Sequence, residues 1–219
     1  MSEGEGGYKP TEEKKTLPKE QQSNVELSQR LSNEQLFTRE DELIRDKGFL
    51  IDVASACDEA YKQTERSKLE QAGQEVPGWL QGQLFTPEER SLLTKDAATL
   101  TDQEKQTYEK AQTNLAINTA GLYALQEGLG IAASFKPDNP HAAHETLTSL
   151  VQGTETQADK ALMSRLAHAT WAAGQPFRGR ETRPVMKPFD RLPTDEQFKD
   201  MVQIRAAAKV MAANLTPSK

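Results

Sequence analysis

The chain has 219 residues, enough for one compact domain or two small ones. Its net charge of -6 excludes general nucleic-acid binding, because that affinity comes from Lys and Arg neutralising phosphates. A mean hydropathy of -0.73 is low for a chain that is globular throughout and predicts that part of it is disordered.

Residues 1–36 carry Gly4, Gly6, Gly7, Pro10 and Pro18 among Glu, Lys, Gln and Ser, with little to bury beyond Val25, Leu27 and Leu31, and this predicts a disordered tail. Its EEKK run at 12–15 reads as part of a solvated arm or as an interaction tail. A helical region follows over 37–153. From Thr38, the residues Leu43, Ile44, Leu50, Val53, Ala54, Cys57, Ala60 and Tyr61 recur at helical spacing. They predict a helix running to about Gln71 with an interruption at Gly48, and they put Cys57 on its apolar stripe, buried and unreactive. Gly73, Pro77 and Gly78 mark a loop containing Trp79.

Thr86, Pro87 and Glu88 open a short helix over 87–93. Thr101 and Glu104 form a capping box, and Tyr108, Ala111, Leu115, Thr119, Leu122 and Leu125 extend a stripe that predicts one helix ending near Gly128. After a turn at 136–140, a short helix carries Leu147, Leu150 and Val151 and stops at Gly153.

A second unit occupies 154–215. Its first helix runs from about Thr156 to Ala173, with Leu162, Leu166 and Ala169 on one side. Residues 174–193 hold two glycines and four prolines and must be irregular or extended. Thr194 and Gln197 cap a last helix through Phe198, Val202, Arg205, Ala208 and Ala212. Nothing reads as a sheet. The fold class is all-α: a compact helical bundle with a disordered N-terminal tail and an extended Pro-rich loop before the last helix. Trp79, Leu100 and Glu104 show the same offsets of 21 and 25 residues as Trp171, Leu192 and Glu196, a spacing that fits either a degenerate internal repeat or chance.

Between 178 and 191, Arg178, Arg180, Arg183, Lys187 and Arg191 face only Glu181 and Asp190, a local charge of +3 in an acidic chain. The planar guanidinium fork suits phosphate and carboxylate oxygens, while Trp171 and Phe177 offer faces on which a base stacks. A second interpretation treats the same arginines as surface ion-pair partners worth ~0–1 kcal/mol each. Trp171, three residues after His168, then belongs to the core, and His168 is a hydrogen-bonded structural residue.

The segment LAHATW at 166–171, the string RPVMKPFDRLP at 183–193 and the closing helix resemble the ryanodine-receptor-type (RyR) domain in its small phage and bacterial form. The matching positions are His168 and Trp171 as His-x-x-Trp, and Pro184, Met186, Pro188, Phe189, Leu192 and Pro193 as the spaced Pro and apolar string, with Glu196 after them. IDVASACDEAYKQ at 51–63 looks like the helix preceding this domain in small phage proteins, with Asp58 where those commonly show His. The loop 172–183 is shorter than the family's and lacks its Gly-Trp-x-Tyr-Gly segment. The resemblance implies a non-catalytic, phage-encoded module that binds a small anionic, nucleotide-like ligand. The candidate ligand-binding residues are His168, Trp171, Phe177, Arg178, Arg180, Arg183 and Lys187.

Catalysis is not indicated. His141 and His144 with Glu145 lack a His-Glu-x-x-His signature, and neither a nucleophile elbow nor a Walker loop is present. No cofactor is expected. The alternatives to a small ligand are a protein-interaction factor that engages a host protein, and self-assembly through the helix at 101–127; the oligomeric state stays open. A lone cysteine, no apolar run approaching the ~20 residues of a membrane span and no secretory signal pattern predict a soluble protein of the cytoplasm, the host's if phage-encoded.

Overall fold

Ser32 begins the first helix among the described residues. Its Oγ accepts the Gln35 N–H at 3.2 Å while Gln35 Oε1 accepts the Ser32 N–H at 3.0 Å. This capping box opens α1, Asn33–Leu43, upstream of the expected start at Thr38. The computed structural model describes residues 30–174, 188–197 and 199–215. The tail was expected over 1–36; its residues 30–36 are ordered, with Leu31 and Leu36 buried, while residues 1–29, the loop 175–187 and Phe198 lie outside the described residues.

Where one long helix with a break at Gly48 was expected, α1 ends at Leu43 and α2, Lys47–Gln71, restarts after Asp46, whose carboxylate accepts the Gly48 N–H at 2.8 Å. Capping boxes at Thr86–Glu89 and Thr101–Glu104 open α3, Pro87–Thr94, and α4, Asp102–Asn118. Then the predicted single helix divides. Thr119 donates from Oγ1 to the Leu115 and Ala116 carbonyls at 3.0 and 3.2 Å, a back-bond that loosens the helical ladder where α4 ends, and α5, Ala120–Phe135, follows at once. Gly128 does not stop α5. A Cβ built there would lie 2.3 Å from Met163 Sδ, so this glycine lets α5 press against α7.

α6, Ala142–Gln152, ends on Gly153 at φ 70, and α7, Gln157–Gly174, follows. The predicted last helix opens as a single turn, Thr194–Gln197, and restarts as α8, Met201–Leu215, where the Asp200 carbonyl accepts the Gln203 and Ile204 N–H groups at 3.0 and 3.2 Å. The fold is all-α, and no strand occurs among the described residues.

α8 is the central element, in contact with α1, α2, α5, α6 and α7. Its buried face, Met201, Ile204, Ala207, Ala208, Met211, Ala212 and Leu215, meets Leu36, Phe49, Val53, Cys57, Leu122, Leu125, Leu147 and Met163 in the larger core, which draws on both sides of residue 153. Each fully buried large side chain there contributes about 1.5–3 kcal/mol, so packing and not helix propensity holds α8. A smaller core joins Ile51 and Ala54 of α2 to Phe85, Leu93, Ala111 and Leu115. The stripe read as one helix face therefore serves two cores. Ala111 and Leu115 face the small one, Leu122 and Leu125 the large one, and the break at Thr119 reconciles them. Among the described residues no helix is long and apolar enough to cross a membrane.

Candidate functional site

α2 passes between the two cores, and a cleft of about 340 Å³ opens beside it. α2 lines it with Asp58, Tyr61 and Lys62, α4 with Asn114 and Asn118, and α7 with His168 and Trp171; Lys199, Asp200 and Gln203 close it at the start of α8.

One edge is the loop after α2. Leu80 and Phe85 are buried and anchor it. Lys62 Nζ donates to the Gly82 carbonyl at 2.9 Å, and Arg66 donates to the Leu80 carbonyl at 2.5 Å. With its neighbours fixed this way, Trp79 is held out on a 3-10 turn, Gly78–Leu80, at the cleft lining and 61% exposed. A tryptophan would contribute more to folding if it were buried, so its exposure on an anchored loop at a cleft makes it a candidate contact residue.

The facing residues come from α7 and the segment 188–192. His168 is buried and stacks on half-buried Trp171, with ring centroids 5.9 Å apart and planes at 26°. Phe189 tilts against His168 at 6.2 Å, and the Arg165 guanidinium lies 5.5 Å over the Phe189 ring while pairing with Asp190 at 2.6 Å. Phe189 and Leu192 are buried. The His-x-x-Trp pair and the Phe189 and Leu192 end of the proline string thus share one small aromatic core.

Charges in the cleft pair off locally. Lys62 meets Asp58 at 2.7 Å, and Lys199 meets Glu196 at 3.0 Å with its Nζ 5.9 Å from the Tyr61 ring centre. Burial works against the Lys199 ammonium, but the Glu196 hydrogen bond and the charges of Tyr61, Glu196 and Asp200 outweigh it and hold its pKa above the usual value. Burial raises the Tyr61 hydroxyl pKa. Burial also raises the Asp200 carboxyl pKa, against the opposing fields of Lys199 and His168. The Asp200 side chain makes no hydrogen bond or ion pair among the described residues.

Of the residues singled out in the sequence, His168 and Trp171 stand in this cleft. Phe177, Arg178, Arg180, Arg183 and Lys187 lie outside the described residues. Sequence reasoning did not place Tyr61, Trp79, Asn114, Asn118, Lys199 or Asp200 in a site. For Trp79 a signal existed, since it is the residue whose offsets match those of Trp171, and both tryptophans line the cleft. Their backbones differ, a 3-10 turn for Trp79 and the end of α7 for Trp171, while Leu100 and Leu192 are alike buried just before a helix opens. Elsewhere, His141 Nδ1 lies 2.9 Å from the Leu31 carbonyl, which makes that nitrogen the donor. Cys57 is fully buried, with its thiol 3.3 Å from the Gln203 carbonyl and its pKa pushed up to about 12 by burial. No family model, curated protein or solved structure matches the chain.

Proposed function

We propose that the chain is a non-catalytic, RyR-like binding module that takes the flat ring of a small nucleotide-like ligand in the cleft, with the arginine-bearing segment 178–183 reaching the ligand's anionic end. The observation that supports this reading most is Trp79, exposed on an anchored loop at a cleft that a second tryptophan also lines. Base stacking on an aromatic side chain contributes about 1–3 kcal/mol. A volume of about 340 Å³ is at the small end of ligand sites, which run roughly 300–1,000 Å³, and so favours a single nucleoside-sized group. Calorimetry and tryptophan fluorescence against a nucleotide panel test it. Trp79→Ala should weaken binding about tenfold or more, a loss of ~1.4 kcal/mol, and Arg180→Ala with Arg183→Ala should weaken nucleotides more than nucleosides. Silence across the whole panel ends this reading.

A second reading, a protein-interaction factor or self-assembling protein, is favoured by the outer face of α5, where Tyr123 is 47% and Phe135 82% exposed beside half-buried Ile131. Light scattering on the full chain and on Phe135→Glu addresses it. A monomeric mass at every concentration, with no partner lost in the variant, removes it.

A further inference from the structure

The ring-binding reading leaves the ligand's identity open, and the charge arrangement of the cleft narrows it. Both lysines that line the cleft are already engaged, Lys62 with Asp58 and the Gly82 carbonyl, Lys199 with Glu196. Neither is available to an incoming anion without breaking a partly buried pair. Asp200 differs. It stands where α8 begins, a position at which aspartate usually turns its carboxylate back onto the first-turn N–H groups. Here only its backbone carbonyl accepts from Gln203 and Ile204, while the half-buried carboxyl lines the cleft with no bonding partner among the described residues.

Three side-chain amides, those of Asn114, Asn118 and Gln203, line the same cleft. Asn118 Nδ2 donates to the Asn114 carbonyl at 2.9 Å, which leaves Asn118 Oδ1 as an acceptor, and the side-chain amides of Asn114 and Gln203 make no hydrogen bond among the described residues. A half-buried carboxyl that faces the cleft and makes no hydrogen bond among the described residues is an open acceptor, and an N–H donor on a ligand would satisfy it.

We infer that Asp200 sets the ligand class: its carboxyl receives the N–H-bearing edge of an amino-substituted nitrogen heterocycle stacked on Trp79, so the ring of the ligand and not its phosphate occupies the cleft. This rests on the ring-binding function proposed above. The amides of Asn114 and Gln203 complement the ring nitrogens, each offering both a donor and an acceptor. Any phosphate lies outside the lining formed by Asp58, Glu196 and Asp200.

Calorimetry on the full chain tests this with nucleoside pairs that differ only at the amino position, adenosine against inosine and cytidine against uridine, and with inorganic phosphate as competitor. At least one amino nucleoside should bind about tenfold more tightly than its oxo counterpart. Asp200→Asn keeps a good helix-start residue and should reduce that ratio to within about twofold with an unchanged thermal melt. If Asp200→Asn lowers the melt, Asp200→Ser supplies the same comparison, and the wild-type ratio stands as a test by itself. Equal binding of amino and oxo nucleosides overturns this inference and leaves the ring-binding function intact. A preference that survives Asp200→Asn overturns the role of Asp200. Displacement of adenosine by inorganic phosphate overturns the placement of the ring, and failure of every nucleoside to bind overturns both the inference and the function on which it rests.

Discussion

The Lys62 ammonium lies 2.9 Å from the Gly82 carbonyl and 2.7 Å from the Asp58 carboxylate, so one buried cation ties the Trp79 loop to α2. Both side chains are largely inaccessible, 9% exposed for Lys62 and 14% for Asp58, so the pair acts in a poorly solvated setting. Lys62→Met keeps the apolar stem but strands the carboxylate and the carbonyl together. We expect a loss of about 2–3 kcal/mol in urea denaturation, with a shift in Trp79 emission. The double variant Lys62→Met with Asp58→Leu should recover much of the stability, since the stranded charge is gone. Equal stability of the single and double variants would show that the two groups are not coupled.

Cys57 gives a kinetic prediction. Burial pushes its thiol from 9.0 up to about 12, and only the thiolate attacks a disulfide reagent. At pH 8 the native protein should react with an aromatic disulfide at least about a thousandfold more slowly than the urea-unfolded chain, combining thiolate depletion with exclusion from solvent. The reaction should follow global opening of the α2–α8 contact. A fast native reaction, unchanged by urea, would place Cys57 outside the core.

Most helix bodies were readable because caps and apolar spacing agree locally: Thr86 with Pro87, Thr101 with Glu104, and Gly153 fall at observed ends. What sequence spacing could not reveal was which core a stripe faces. Ala111 and Leu122 share a helical period but pack into different clusters, on either side of the helix break at Thr119. Ser32 and Gln35 are likewise a legible capping box hidden by the polar composition around them. In the site, His168 and Trp171 were visible as a spaced pair on one helix. Asp200 and Tyr61 were not, because their role depends on α2 and α8 lying side by side.

Glu40 should make stability depend on pH. It is 4% exposed, and burial first, then the neighbouring Asp41 charge, raise its carboxyl to about 7 against a hydrogen bond from Gln126. Between its ordinary 4.5 and about 7 the folded chain holds a proton that the unfolded chain has released. Stability therefore falls as pH rises through that window, by up to about 1.4 kcal/mol per unit, and is level above it. Glu40→Gln should flatten this slope and raise Tm at pH 8. Scanning calorimetry at pH 5 and pH 8 provides the check, and identical slopes for wild type and variant would remove Glu40 as the source.

Gly128 is where α5 and α7 approach most tightly among the described glycines, and the obstacle is the Met163 thioether at 2.3 Å. Alanine in a helix normally gains about 0.5–1 kcal/mol over glycine. Met163 is 1% exposed, so the flexible thioether tip that the new methyl displaces must shift within the core, and overpacking of about 1–3 kcal/mol should outweigh that gain. Gly128→Ala is expected to lower Tm, and Gly128→Ala in a Met163→Ala background should instead raise it relative to Met163→Ala alone. The reversal of sign is the diagnostic result.

Asn33 marks where the fold takes hold of the chain. Its backbone N–H donates to the Pro140 carbonyl at 2.6 Å, its Nδ2 donates to the Asn139 carbonyl at 3.2 Å, and its Oδ1 accepts the N–H of fully buried Ala143 at 3.0 Å. Arg30 pairs with Glu145 beside it, and Leu31 and Leu36 are buried in the large core. A chain that begins at Arg30 keeps all of these contacts, whereas one that begins at Phe37 loses them together with the Ser32 cap. Asn33→Ala should cost about 1–3 kcal/mol, because Ala143 is left a buried, unsatisfied donor. Removal of the two leucines adds about 2–5 kcal/mol each, a sum comparable to the whole stability of a domain of this kind. Urea midpoints should therefore fall for Asn33→Ala and collapse for the chain starting at Phe37, which would lose its cooperative transition. If that shorter chain unfolded at the same midpoint as the one starting at Arg30, residues 30–36 would not belong to the fold's core.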